Sequence, residues 1–590
     1  MKRSLLSVLI VVLLIAPQLL ASVDDYVSER MGDTLVVKTY DEMEGEASAI
    51  INIITADSVD VPAGRVYLLQ EDGWYPLSQD WTTPLGRAVV IAGENDTPLA
   101  VSESTSYPPL ITGYTVEGSA TNGSVSYQND LTVKNAILIP AADEANIGWS
   151  FFNLTTAGVS LTLENVLMEH TRWVYIAGNN AADGNFFLKD CYFVNLSGQA
   201  CRRNGGVYDN VNYNTDTMWV ENCTHVMGQG MTYKFRNYPV GKVFFNHNTF
   251  VNIGGPLFTT FGYQSNWVVT NNLFVNSNVQ AYWPGFDIGE TDQDELPMGI
   301  INVAPLPTGM DTIAAADRMF LVDANGLYWD SSLDEIASGV EANAPQGRTG
   351  WMTQMITMNS RTQNMFDDNS TYPLLTEGAW IEGGDPSFTD PADLMTDQVD
   401  NLIAFCISTA DTNSTDVLDW WRTGSHTSDD YIYPDFPIDI DLSYTNAAYL
   451  TAGYAKLPLG DLNWFPVQKV TWEAQMDVEH AAIETALTTG NVLVGIKDLG
   501  GVPTEFTLSQ NYPNPFNPTT KISFSIPEAS NVTLKVYNTL GQEVATLVND
   551  FKTAQSYSVD FNASNLASGV YIYTLKYGNQ SISKKMMLLK

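Results

Sequence analysis

The sequence is poor in several residue types, and each shortage closes off a class of protein. Four cysteines in 590 residues (Cys191, Cys201, Cys223, Cys406) are too few for a fold built on disulfides, so the core must be apolar. The five histidines, His170, His225, His247, His426 and His480, show no metal-ligand spacing such as HExxH, and His225 and His247 are expected to be structural. Lysine and arginine total 28 against 67 aspartates and glutamates, a formal net charge of −39. So acidic a chain repels phosphate backbones and anionic lipid, which excludes nucleic acid as a partner. Only one long apolar run exists, Leu5 to Ala16, so the mature protein is expected to carry no transmembrane segment.

That run follows Lys2 and Arg3 and precedes Ala21 and Ser22, the pattern of a secretory signal peptide over residues 1–21. The acidity is unevenly placed. From Glu505 to Lys590 seven lysines face five acids, and removing the +2 of each end leaves about −43 on the middle of the chain. Dense aspartate makes calcium a candidate cation there, although neither an EF-hand nor a repeated calcium nonapeptide is present. No other cofactor and no dedicated metal site is expected.

Between about 130 and 280 the chain repeats itself. LTVKNAILI (131–139), LTLENVLME (161–169), FFLKDCYFV (186–194), MWVENCTHV (218–226), VFFNHNTFV (243–251) and WVVTNNLFV (267–275) share one template. A short apolar-alternating strand meets Asn135, Asn165, Asp190, Asn222, His247 or Asn271, and a second strand follows. The pivots recur every 24 to 32 residues, roughly one coil of a parallel β-helix. Asn tolerates the left-handed conformation a corner requires, and inward Leu, Val, Ile and Phe stack on their equivalents one strand spacing away. An earlier coil is expected at 66–93 and a later one at 319–331, with Asn325 at its corner. The first of these resembles the opening segment of right-handed β-helix proteins of the pectate-lyase-like superfamily. Residues 346–500, with helices expected near 395–407 and 473–487, read as loops and caps packed on a β-helix spanning 22–345. GDPSF and LGDLNWF there resemble closing segments found downstream of such β-helices.

The last ninety residues open with a proline-rich leader, NYPNPFNP, and then alternate as short strands separated by turns, the pattern of a small antiparallel β-sandwich over 501–590. FTLSQNYPNPFNPTT, VYNTLGQEVATLV, LASGVYIYTL and KKMMLLK closely resemble the C-terminal sorting domain of type IX secretion cargo. The resemblance implies recognition by Gram-negative export machinery and delivery to the cell surface or beyond. The expected fold class is therefore all-β, a right-handed parallel β-helix with caps followed by a small sandwich.

Basic residues are scarce in the repeats, so their grouping matters. Arg202 lies twelve residues after Asp190 and Lys234 twelve after Asn222, which would stack them on neighbouring coils beside Arg203 and Arg236. Tyr208, Tyr213, Tyr233 and Tyr238 interleave with them, with Phe235. Cations for sugar carboxylates and rings for sugar faces suit an extracellular acidic polysaccharide. In a lyase, Lys234 would take the proton, with Arg202 or Arg236 clamping the carboxylate. Asn214-Thr215-Asp216 repeats the NTD of polygalacturonases, but their other motifs are absent. Offsetting nearby acids is the structural reading of the same cations. Three functions stay open: polysaccharide binding, a polysaccharide lyase, and a structural or adhesive surface protein. Cys191 and Cys223 share a template position, which allows either a disulfide or a stack of buried thiols.

Overall fold

The computed structural model describes residues 22–57, 61–95, 106–116, 119–121, 123–143, 146–196, 204–236, 238–259, 263–280, 298–307, 313–343, 355–390, 393–409, 414, 416–418, 440–493, 506–508, 511, 514, 516, 518–527, 530–539, 541–552, 555–578 and 580–589. Each copy of the template forms a strand, one left-handed residue and a second strand. The pivots Asn135, Asn165, Asp190, Asn222, His247 and Asn271 all have φ between 52° and 58°. Short polar side chains are the ones that tolerate this region at small cost, which is why Asn dominates the corner.

Three parallel sheets result. The first, before the corner, climbs from Thr34–Val37 through Val89–Gly93, Gly184–Lys189, Thr215–Glu221, Val240–Asn246 and Gln264–Thr270 to Leu375–Glu377. The second, after it, runs from Trp74–Leu77 through Tyr192–Leu196, Thr224–Gly228 and Thr249–Ile253 to Trp380–Ile381. The third has seven strands, from Trp81–Thr82 to Phe258–Thr259. Their succession along each coil is that of a parallel β-helix, and parallel crossovers of L-residues take the right-handed course. The pairing continues past residue 345, where the repeats had been expected to end.

Equivalent side chains stack inside the prism. Phe193, His225, Phe250 and Phe274 form one column, with neighbouring ring centroids 4.8, 4.3 and 5.2 Å apart. Burial pushes the His225 imidazole down to about 3, so it is a neutral member of an aromatic stack. An interior amide column runs beside it. Asn272 Oδ1 accepts from the backbone N–H (2.9 Å) and Nδ2 (3.0 Å) of Asn248, and Asn325 Oδ1 accepts likewise from Asn272. Asn325 is thus the top of this column. The corner expected of it belongs to Ala324, at φ 54°; the αL residue lies one position earlier because Asn325 must face inward to receive Asn272.

Helix Ala49–Ala56 buries Ile50, Ile51, Ile53 and Ile54 in the core. Helix Ser360–Asp367 contributes Met365 and Phe366 to the same core. Such elements cover strand edges that an open prism would expose. Helices Asp397–Ser408 and Pro466–Thr489 fall where helical segments were expected. Gly460–Phe465 straps the corner column. Asp461 N–H donates to Thr249 Oγ1 and Leu462 N–H to Asn222 Oδ1, at 2.8 and 2.6 Å. Gly460 must be glycine, since a Cβ there would sit 2.3 Å from Thr249 Oγ1.

The tail is two antiparallel sheets around Ile522, Phe524, Val532, Leu534, Tyr573, Leu575 and Leu588. Its proline-rich leader is pinned to the sandwich. Asn511 N–H donates to Tyr573 Oη (2.9 Å), Asn514 Oδ1 accepts from Met587 N–H (2.8 Å), and Phe516 bridges to Leu588.

Two outcomes follow for stability. Asn272→Ala removes the acceptor of the buried Asn248 N–H, while Asn248 Nδ2 keeps Val220 O, and should cost about 1–3 kcal/mol, whereas Ala324→Gly relieves a left-handed alanine and should be neutral or stabilising by up to about 1 kcal/mol; thermal midpoints of the two variants test the pair. Burial raises the Asp461 carboxyl to about 8, while its Oδ2 meets Thr224 Oγ1 at 2.7 Å. The native state therefore holds a proton that the unfolded chain releases above about 4, so stability falls as pH rises from there to about 8. Asp461→Asn should flatten the midpoint-versus-pH curve over that window and be the more stable protein at pH 9.

Candidate functional site

The residues that the sequence grouped as a cationic, aromatic strip come together, but in the interior. Tyr208 and Tyr233 pair in register on the third sheet, and Asp209 pairs with Lys234. Both tyrosines are core residues, with Tyr208 Oη 2.6 Å from Thr215 Oγ1 and Tyr233 Oη 2.8 Å from His225 Nε2. Lys234 is 1 % exposed and its Nζ lies 3.7 Å from Asp209 Oδ2. Arg236 grips the same carboxylate through Nε (2.8 Å) and Nη2 (2.6 Å), and Trp173 Nε1 adds a third donor at 3.1 Å. This is a buried ion cluster joining three coils, and its lysine reaches no surface that a polymer could touch. Tyr213 and Tyr238 are half-buried. Arg202 and Arg203 lie outside the described residues. The register partner of Lys234 is Asp209 because that coil carries a longer excursion between corner and third sheet than the next one.

Cys191 and Cys223 occupy equivalent positions as expected, yet they are free thiols. Cys223 Sγ accepts the Cys191 N–H at 3.4 Å, and each thiol is directed at a backbone carbonyl instead of its neighbour. Among the described residues no group of three or more His, Cys, Asp or Glu is placed to hold a metal ion.

The open chemistry is on the outside of the first sheet. Side chains two apart on a strand share a face, so the residue before each corner forms an outward column: Lys134, Glu164, Lys189, Glu221, Asn246. Its first part, with corner residues Asn135, Asn165 and Asp190, lines a cleft of about 380 Å³ closed by Lys469 and Glu473 of the long helix. Lys134 pairs with Glu164. Lys469 Nζ meets Asp190 Oδ1 at 3.1 Å and Asn463 Oδ1 at 2.7 Å. Lys189 differs. Its register neighbours Glu164 and Glu221 are both engaged elsewhere, and among the described residues no carboxylate lies within 4 Å of its ammonium. It faces the Trp472 ring at 5.8 Å. Two residues back along the strands, Phe187 and Trp219 are half-buried on the same outer face, with Trp219 stacked on Phe244 at 3.8 Å.

Beyond the cleft the same columns disappear under helix Pro466–Thr489. Ile483 and Leu487 pack on Phe244, Val268 and Leu321. Glu479 accepts from Asn246 Nδ2, Asn271 Nδ2 and His247 Nε2 at 3.1, 3.0 and 3.1 Å. His480 Nε2 meets Glu221 Oε1 at 2.7 Å. Burial disfavours the His480 imidazolium, but Glu221 outweighs it and holds the pKa above the ordinary histidine value. The sequence signal for this face was the alternating charge immediately before each corner, which is visible only once the corners are aligned.

No curated protein matches the chain. Residues 510–589 match the secretion system C-terminal sorting domain, in agreement with the sandwich and its pinned leader. The chain is cargo of the type IX secretion system, an exported parallel β-helix delivered to the cell surface or extracellular space by its C-terminal sorting domain.

Proposed function

We propose that the β-helix binds an acidic extracellular polysaccharide along the outer face of its first sheet, with Lys189 pairing a sugar carboxylate and the half-buried Phe187 offering apolar surface to a sugar ring. The single observation that carries this reading is Lys189, a half-buried cation in a polar cleft, stripped of both carboxylates that flank it in register. The Trp472 ring is the partner of this half-buried charge, and an anionic ligand would add the countercharge it lacks. Export supports an extracellular ligand, and the parallel ladder repeats similar chemistry at about 4.8 Å per coil, a geometry suited to a polymer.

The reading moves the site away from Lys234. That lysine and Arg236 support the binding face from within, by tying the third sheet together through Asp209. Carbohydrate engagement then requires no proton transfer by Lys234.

Titration calorimetry with oligogalacturonate and alginate, against neutral dextran, tests this. Wild-type protein should bind the acidic chains, and Lys189→Ala should weaken binding about tenfold, the worth of one charge-assisted contact. Raised salt should weaken the wild type more than the variant. Lys234→Ala should lower the thermal midpoint and leave affinity unchanged. Unsaturated product absorbing in the ultraviolet, lost in Lys234→Ala, would instead establish a lyase; no binding to any of the three polymers would favour a surface spacer.

A further inference from the structure

The polar columns that line the cleft do not stop where the cleft does. They run on for three coils beneath the strap Gly460–Phe465 and helix Pro466–Thr489, as Glu221, Asn246 and Thr270 before the corner and as Asn222, His247 and Asn271 at it. All six are buried. Had this contact evolved as a core, apolar side chains would face one another, as they do further along the helix at Ile483 and Leu487. Instead the helix lays polar groups on polar groups, and not all are satisfied. Trp472 Nε1, Gln475 Nε2 and Glu479 Oε2 are buried without a hydrogen-bond partner. Such an orphan costs about 1–3 kcal/mol where water does not reach it, which offsets part of what the helix gains from its apolar contacts.

What it places there is informative. Glu479 presents one carboxylate oxygen to two side-chain amides and one imidazole, contributed by adjacent coils of the ladder. Those three donors would hold any carboxylate of the same approach. They lie along the ladder from Lys189, two coils away at Asn246, or about 10 Å at the parallel strand spacing. Apolar packing of Trp472, Ile483 and Leu487 anchors the helix, and beside these anchors it is held by polar contacts that an ionic ligand can compete with, including Lys469–Asp190 at 3.1 Å and His480–Glu221 at 2.7 Å.

We infer that Asn246, His247 and Asn271 form a second carboxylate subsite of the groove, filled in the closed chain by Glu479 of the long helix and open to a uronic acid of the polysaccharide when that helix lifts. The inference rests on the polysaccharide reading above for the identity of the ligand. The helix is then a built-in plug: short acidic oligosaccharides reach only the Lys189 cleft, and longer ones must displace Glu479 to run further. Ligand length, and not charge alone, determines what the full groove accepts.

Binding of galacturonate oligomers of two and eight sugars to the full chain tests it, using wild type, Glu479→Gln and the double variant Glu479→Ala/His480→Ala. Circular dichroism and thermal midpoints confirm that each remains folded, and Glu479→Gln preserves the side-chain volume should the double variant fail to fold. The expected result is that the octamer binds the variants about tenfold more tightly than it binds wild type, with dimer affinity unchanged. Amide exchange across residues 466–489 of wild type should also quicken when the octamer is present. Octamer affinity equal in wild type and both folded variants, with no change in helix exchange, overturns the plug. If dimer binding proves independent of Lys189 while the variants still gain octamer affinity, the subsite stands and the Lys189 cleft falls.

Discussion

Left-handed corner residues hold this protein in shape, one at each pivot and, from Asn165 to Asn271, a second five positions on. At the corner between the first and second sheets a single residue takes φ near 55° on each coil from Asn135 to Ala324, turning the chain without inserting a loop. Because no residue is added, the register on both sides stays locked. Strands before the corner pair with strands before the corner, and inward side chains fall on their own kind. The aromatic column through His225 and the amide column through Asn272 are consequences of that lock. So is the outward column from Lys134 to Asn246, and with it the cleft. An unpaired buried amide costs as much as several favourable contacts contribute, so the interior asparagines also resist slippage of the ladder by one residue, which would turn each of them to the other face.

Much of this was legible in the sequence, because the corner has a composition that short-range physics demands. All six pivots read from the template are left-handed, and the tail resolved into the sandwich that its alternation implied. Asn325 misled because an asparagine can serve either the corner or the interior column, and only the backbone geometry says which. The cationic strip misled for a different reason. Lys234 and Arg236 were placed by counting from the corner, but excursions between second and third sheets vary in length, so position is reliable close to the pivot and decays with distance from it. Lys189, one residue before its pivot, illustrates the reliable case, falling in register between Glu164 and Glu221. The role of the long helix lay beyond reach, since its partners Glu221, Asn246, His247 and Asn271 are more than two hundred residues away in the chain.

The long helix and the strap before it reverse the usual division between ladder and cap. A cap ordinarily covers the end of a solenoid, where strand edges are unpaired. Here Gly460–Phe465 and Pro466–Thr489 lie along its side and take the polar corner column as their seat. Asp461, its carboxyl raised to about 8 by burial, lies in this seat beside the pairs of Glu479 with His247 and His480 with Glu221. Stability there is tied to the protonation of Asp461.

Coils of this ladder are unequal, the pivots being 24 to 32 residues apart, yet the corner geometry hardly varies. All of the difference is absorbed in stretches remote from the pivot. Such an architecture behaves like a spine with interchangeable ribs: outlying segments can lengthen, shrink or be rewritten while the vertebrae remain in line. New surface specificity can thus be acquired one rib at a time, with little penalty to the backbone that carries it.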